Sequence, residues 1–319
     1  MRLLFVSCLL GMLSCTTESS SPVKPERRGE SGWVRLPDAP SLRTEVTATT
    51  RGPEVFVIGG FADDGRTVAT VEIYDAEQRS WRIGPNLPLA VNHSMSATVD
   101  RSIYVLGGYL GPGLANPSDR AFWLRGGEWV ELPPMPEPRA AGGAGAIGDR
   151  LYVAGGVGPG GLATDTLVFD TSSREWSTTS GPPTRRQHLG VAAARGRLYA
   201  VGGRTGGIGS NLGAAEAFDP RRGVWRILPD MPTARGGIAA AATTNGMVVA
   251  VGGEADTTFD EAEALDVRAR RWVSLPAMPT ARHGLGAAAV GTVLHVIAGG
   301  TEPGYSFSSA NEAIDLRDL

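Results

Sequence analysis

Apolar positions along this chain do not keep a 3.6-residue spacing over any stretch long enough to define a helix. Beyond the first thirty residues they gather into runs of four or five, each closed by glycine, proline or a polar turn. Ile103–Leu106, Leu151–Ala154 and Leu198–Val201 are such runs. Val71–Asp75 and Ala215–Asp219 instead alternate apolar with polar, the spacing of a strand with two different faces. Short strands separated by turn residues predict an all-β array.

The array repeats. Paired glycines close apolar runs at 59–60, 107–108, 155–156, 202–203, 252–253 and 299–300, and tryptophans stand at 33, 81, 129, 176, 225 and 272. Two independent residue types therefore keep one period of nearly fifty residues, and Trp123 alone stands outside the series. Within each period a small-residue stretch such as 284–290 comes first. A turn, the apolar run and the diglycine follow, then a variable loop, an alternating strand, and a tryptophan strand ending in Leu-Pro and Met-Pro, as in 272–279. That makes four strands per period.

Six repeats of this form resemble kelch repeats, which build four-stranded propeller blades at a period near fifty residues. The resemblance runs from about Ser31 to Leu316. It implies a six-bladed kelch-type β-propeller, in an all-β chain divided into a signal peptide (1–15), a Ser/Pro/Glu-rich tether (16–30) and the propeller (31–319). Repeat two departs from the pattern with a shorter hairpin at 122–129, and repeat three carries Leu167 where most repeats carry glutamate. Trp33–Leu36 has no partner strands before it, while the sixth repeat stops at 311–316 without a tryptophan strand. The N-terminal strand is therefore expected to complete the last blade, and closure removes the exposed edge of an open array.

Composition sharpens this. Glycine (44) and proline (22) exceed their usual combined share of roughly 12%, as once-per-blade punctuation requires. A net charge of −3 gives no basic surplus for nucleic acid. Both cysteines, Cys8 and Cys15, precede the propeller, so no disulfide, thiolate metal site or cysteine nucleophile is expected within it. Kelch-class copper oxidases use a cysteine-crosslinked tyrosine, which that placement excludes. The apolar stretch Leu3–Leu13 is too short to span a bilayer and suits a signal peptide. It ends at Ser14-Cys15, resembling a bacterial lipoprotein signal, with Met12 and Leu13 departing from the usual residues. The resemblance implies lipidation of Cys15 and a place on the cell envelope, or secretion if the cysteine is unused.

Candidate chemistry is sparse. The diglycines end strands, so they lack the helix start that a phosphate loop needs. The periodic tryptophans are expected to pack between blades. His295 takes a place held by Tyr104, Tyr152 and Tyr199, so a core role is expected. His93, His188 and His283 recur near the start of the small-residue strand, where kelch repeats often carry histidine, but no metal or cofactor is expected. The feature with most promise is a ring of arginines three residues after the proline that closes the tryptophan strand: Arg43, Arg139, Arg186, Arg235 and Arg282, with Val91 in repeat two. Clustered guanidinium groups suit a carboxylate ligand, yet each could equally pair with a carboxylate of its own repeat, among them Asp165 or Glu254. Two functions stay open. One is a monomeric, lipid-anchored binding module for a protein or carbohydrate, with an anionic ligand suiting the arginine face. The other is a periplasmic sugar mutarotase resembling the kelch-type sialic-acid enzyme.

Overall fold

A computed structural model describes residues 32–319, so Cys15, the signal segment and the tether lie outside the described residues. The fold is all-β, with six four-stranded antiparallel sheets, each a blade of one propeller. Blade 1 comprises Thr47–Arg51, Glu54–Ile58, Val71–Asp75 and Ser80–Ile83; blade 2 begins at Met95, blade 3 at Gly143, blade 4 at Gly190 and blade 5 at Ala239. Blade 6 takes Gly286–Val290, Val293–Ile297 and Asn311–Asp315 from the end of the chain and Trp33–Arg35 from its beginning. Trp33 is in register with Ile314 and Arg35 with Glu312. The N-terminal strand thus closes the ring as expected. Among the described residues no helix is long and apolar enough to cross a membrane.

Residue size follows radial position. The innermost strands are built from alanine, glycine, serine and threonine, as in Ala239–Ala242, because six of them converge on one axis. A Cβ at Gly143 would lie 2.5 Å from the Val191 side chain of the next blade, and one at Gly190 would lie 2.5 Å from Ala240. The second strand of each blade is buried on both faces, which makes its apolar run continuous. In Glu54–Ile58, Phe56 and Ile58 pack toward blade 2 while Val55 and Val57 pack toward blade 6. The core therefore lies between blades, as a cycle of interfaces.

Two hydrogen-bond cycles fix the blades to one another. Each periodic tryptophan donates its indole N–H to a backbone carbonyl some 44 residues earlier: Trp81 to Pro37, Trp129 to Pro85, Trp176 to Pro133, Trp225 to Ser180 and Trp272 to Pro229, all at 2.8–2.9 Å. Trp33 closes that cycle on Pro276 at 2.8 Å. The second cycle uses the diglycines. The N–H of Gly60 donates to Val91 O of the next blade at 2.8 Å, and Gly108, Gly156, Gly203 and Gly253 repeat the contact with Arg139, Arg186, Arg235 and Arg282 at 2.9 Å. In blade 6 the donor is Gly299, bonded to Arg43 O. Ala298-Gly299 therefore does the work of the other diglycines, one residue before the Gly299-Gly300 pair that the periodicity marks. The close approach explains the glycine: a Cβ on Gly60 would stand 2.4 Å from Thr44 O, at a φ of +94°.

Candidate functional site

The five arginines of the predicted ring share equivalent positions, but they face the blade interiors and are 0–1% exposed. Arg43 pairs with Glu72 at 2.7 Å, Arg186 with Glu216 at 2.6 Å and Arg282 with Glu312 at 2.7 Å, while Arg235 pairs with Glu263. Most of their remaining nitrogens donate to backbone carbonyls, chiefly at the end of the second strand, while Arg43 Nε and Arg139 Nε find no partner among the described residues. Arg235 Nε reaches Gly252 O at 2.8 Å, and Arg186 Nη2 reaches Ala200 O at 2.9 Å. Each glutamate's second oxygen is also used, as where Thr233 donates to Glu263 Oε1 at 2.9 Å. Burial lowers the pKa of Arg43 and Arg282, against the opposing pull of Glu72 and Glu312.

This corrects the expectation that Arg43, Arg139, Arg186, Arg235 and Arg282 bind ligand: each is desolvated and already holds a carboxylate and at least one backbone carbonyl, so it offers nothing to the mouth. The mutarotase comparison loses its carboxylate-binding groups for the same reason. Of the loop acids expected as internal partners, Asp165 serves Arg139, at 2.9 Å with Glu137 beside it. The other four arginines use the glutamate on the third strand. Leu167 lacks that glutamate, which explains the substitute pair in blade 3.

Titratable groups gather two residues further on. Glu45, His93, Ala141, His188, Gly237 and Gly284 form a ring at the channel mouth, one from each repeat, all at φ between +51° and +71°. Their backbones bond head to tail. His93 N donates to Glu45 O, Ala141 N to His93 O, His188 N to Ala141 O, Gly237 N to His188 O and Gly284 N to Gly237 O, and Val46 N closes on Gly284 O. Left-handed backbone costs a residue bearing a Cβ about 1–2 kcal/mol, and such outliers concentrate at functional sites. Three of the six are titratable.

Glu45, His93 and His188 each offer a ligand atom within 4.8 Å of the other two. His93 Nε2 lies 3.0 Å from Glu45 Oε2, and the His93 and His188 rings meet edge to face at 4.9 Å. His283, one residue out of this register, puts Nδ1 3.3 Å from Glu45 Oε1 and 3.5 Å from Glu254 Oε2. Arg204 holds the other Glu254 oxygen at 2.9 Å. Burial would raise the Glu45 carboxyl, but the charges and hydrogen bonds of His93 and His283 overcome this and hold it well below the usual range. Burial, reinforced by the charges of His93 and Arg204, pushes His188 well below its ordinary value. His283 moves up, because Glu45 and Glu254 outweigh its burial.

The repeat spacing alone did not require the histidines to converge, yet His93 and His188 do so here, with Glu45 as a neighbour that sequence reasoning missed. A signal existed: Glu45, His93 and His188 all stand two residues after the arginine position. His295 is buried on the second strand of blade 6, against Tyr74 of blade 1, the core role expected of it.

Above this floor lies a cavity of about 320 Å³ walled by the loops after the diglycines. Phe61, Leu114, Ile208 and Tyr305 make its rim apolar. The loops brace one another across the mouth: Tyr305 Oη donates to Pro112 O at 2.9 Å, and Thr258 Oγ1 to Thr301 O at 2.9 Å.

Six four-stranded blades, a ring-closing N-terminal strand and a loop-walled mouth define a closed β-propeller with its candidate site on the axis. Residues 92–300 match the KLHDC2/KLHL20/DRC7 Kelch-repeats domain, and residues 42–88 match the Kelch motif. The chain belongs to the kelch-repeat family. It is 33% identical over 243 residues to Kelch-like protein terF of Aspergillus terreus, covering 67% of this chain and 50% of that protein. It is 26% identical to Beta-scruin of Limulus polyphemus (65% of this chain, 24% of that one) and 26% identical to mouse Kelch-like protein 23 (59% and 33%). The chain thus spans half or less of the length of these relatives.

Proposed function

We propose that the chain is a recognition module that seats a segment of a partner protein on the channel mouth. One observation carries this reading: the mouth cavity combines an exposed apolar rim with a charged floor. Leu114 is 51% exposed and Tyr305 61% exposed. Large aromatic and aliphatic anchors around a concave, polar-floored site are what a protein interface uses, and kelch propellers commonly bind proteins. Variable loops on a rigid scaffold are the usual seat of binding. Export and attachment through lipid on Cys15 belong to the same proposal. They rest on the apolar Leu3–Leu13 stretch, the Ser14-Cys15 junction and the polar tether that follows.

The test crosslinks the tethered protein to its envelope partners. Leu114→Asp with Tyr305→Asp is expected to abolish the crosslinked product without changing the melting temperature. Ile83→Asp with Ile227→Asp, exposed on the outer strands at 62% and 75%, is expected to leave the product intact. Equal crosslinking by both pairs would remove the mouth as the binding surface. For the anchor, an alkyne fatty acid is expected to label wild type and not Cys15→Ala; label persisting in Cys15→Ala would refute it.

A further inference from the structure

We propose that Glu45, His93 and His188 bind a divalent transition-metal ion of the zinc class at the channel mouth, with a further coordination position open to the mouth cavity.

Hydrogen bonding around His93 points to a cation. The Asn92 side-chain nitrogen donates to Thr67 Oγ1 at 2.9 Å and faces the carbonyls of Gly111 at 3.2 Å and Tyr109 at 3.4 Å. Carbonyls only accept, so the amide orientation is set and Asn92 Oδ1 is the atom 2.6 Å from His93 Nδ1. His93 Nδ1 must therefore carry the hydrogen, as when an outer partner fixes the tautomer of a metal-ligating histidine. With the ring neutral, Nε2 carries a lone pair and faces a Glu45 carboxylate oxygen 3.0 Å away; with the ring protonated it would donate to that oxygen, the state in which its charge lowers the Glu45 pKa. Two acceptors at that distance need a positive charge between them. A second proton on the ring would supply it, and so would a metal ion.

The rest of the cluster favours the ion. Ligands 2.0–2.1 Å from a tetrahedral ion stand about 3.3 Å apart, close to the His93–Glu45 separation. His188 brings the third ligand atom within 4.8 Å of both. It is 7% exposed, and its Nδ1 has no hydrogen-bond partner in the protein. His283 beside Glu45 Oε1 leaves Oε2 to serve as a single-oxygen ligand. Space is provided by neighbours on the ring. A Cβ on Gly284 would stand 2.6 Å from Glu45 Oε1, and Ala141, between the two histidine repeats, is small enough for their rings to meet. Two imidazoles and one carboxylate suit zinc or ferrous iron, whereas magnesium and calcium prefer oxygen ligands alone. This site does not depend on the recognition reading, since its ligands come from the rigid ring and not from the rim.

Calorimetric titration of the untagged, chelator-treated full chain with zinc chloride tests the proposal. One zinc per chain is expected at micromolar affinity or tighter, with no comparable uptake of magnesium. His188→Ala and Glu45→Ala are each expected to weaken binding about 100-fold or more, because loss of even an outer partner costs 10–100-fold. Both variants keep a backbone that Ala141 already adopts at φ +53°, and thermal melts verify their folding. X-ray absorption of the zinc-loaded wild type, which needs no variant, is expected to show two imidazole ligands. Failure of wild type to bind zinc would overturn the proposal. So would zinc retained within threefold by both variants, or an all-oxygen coordination shell.

Discussion

Blades 2 and 5 share one backbone design and fill its centre in opposite ways. In blade 5, Arg235 crosses to Glu263 and to carbonyls of the second strand. In blade 2 the same two positions hold Val91 and Phe122, which pack in one apolar cluster with Ile103 and Val105. The exchange is paired: where the arginine is absent, so is the glutamate. Blade 3 is intermediate, with Leu167 in place of the glutamate and Arg139 turned to the partly exposed Asp165 and Glu137. A buried ion pair gains little over a well-packed apolar pair, but a buried charge left alone costs about 3–5 kcal/mol. Propeller blades therefore tolerate either filling and penalise half of one. The arginine ring is internal structure, and the chemistry of the mouth lies two residues further along the chain.

The largest effect is expected at the ring closure. Blade 2 has all four strands from one repeat, whereas blade 6 borrows Trp33–Arg35. Deleting residues 33–37 removes a buried tryptophan, its bond to Pro276 and the Pro37 carbonyl that receives Trp81 and Asn311. Losing a buried tryptophan costs about 3–5 kcal/mol, and a domain of this size shifts by roughly 2–4 °C per kcal/mol. The melting temperature should fall by at least about 6 °C; an unchanged melt would mean that closure contributes nothing. Next in size is Arg235→Ala, which leaves the buried Glu263 charge without its cation, with Thr233 as its remaining side-chain partner, and should cost about 3–5 kcal/mol in denaturant unfolding. A loss below about 1 kcal/mol would place the pair in the class of exposed ion pairs.

A smaller and pH-dependent effect belongs to His295, where blade 2 has Tyr104. Burial lowers the His295 pKa to about 4. As pH falls below the ordinary value near 6.5, the unfolded chain takes up a proton that the folded chain refuses. Stability is thus lost from pH 6.5 down to about 4, by at most about 3 kcal/mol. His295→Tyr, which copies blade 2, should lose less stability between pH 7 and 4 than wild type does. Parallel pH profiles for the two proteins would contradict this assignment.

The fold was highly legible because its signals repeat: six tryptophans and six diglycines mark every blade, and the unmatched Trp33 strand announces the closure. Only the sixth diglycine misled, since Ala298 accepts a φ of +58° and the true close approach falls on Gly299. The site was less legible. Glu72, Glu216, Glu263 and Glu312 repeat as regularly as the arginines, but each lies 28–30 residues from its partner, and only the register of the third strand against the axis brings them together. Glu45 belongs to no repeated residue type, and His283 lies one place out of the histidine register. Glu45 and His93 share with His188 the offset of two residues from the arginine position, but only rotation about the ring turns that shared offset into convergence.

A double-mutant cycle at blade 5 tests most directly whether the arginine ring is internal structure. Arg235→Val and Glu263→Phe are measured singly and together, transplanting the Val91–Phe122 filling. Each single variant should be clearly destabilised, and the double variant should return to within about 1–2 kcal/mol of wild type, with a favourable coupling of at least that size. A double variant as unstable as the sum of its singles would contradict the account, because the two fillings would then not be alternatives for one structural role.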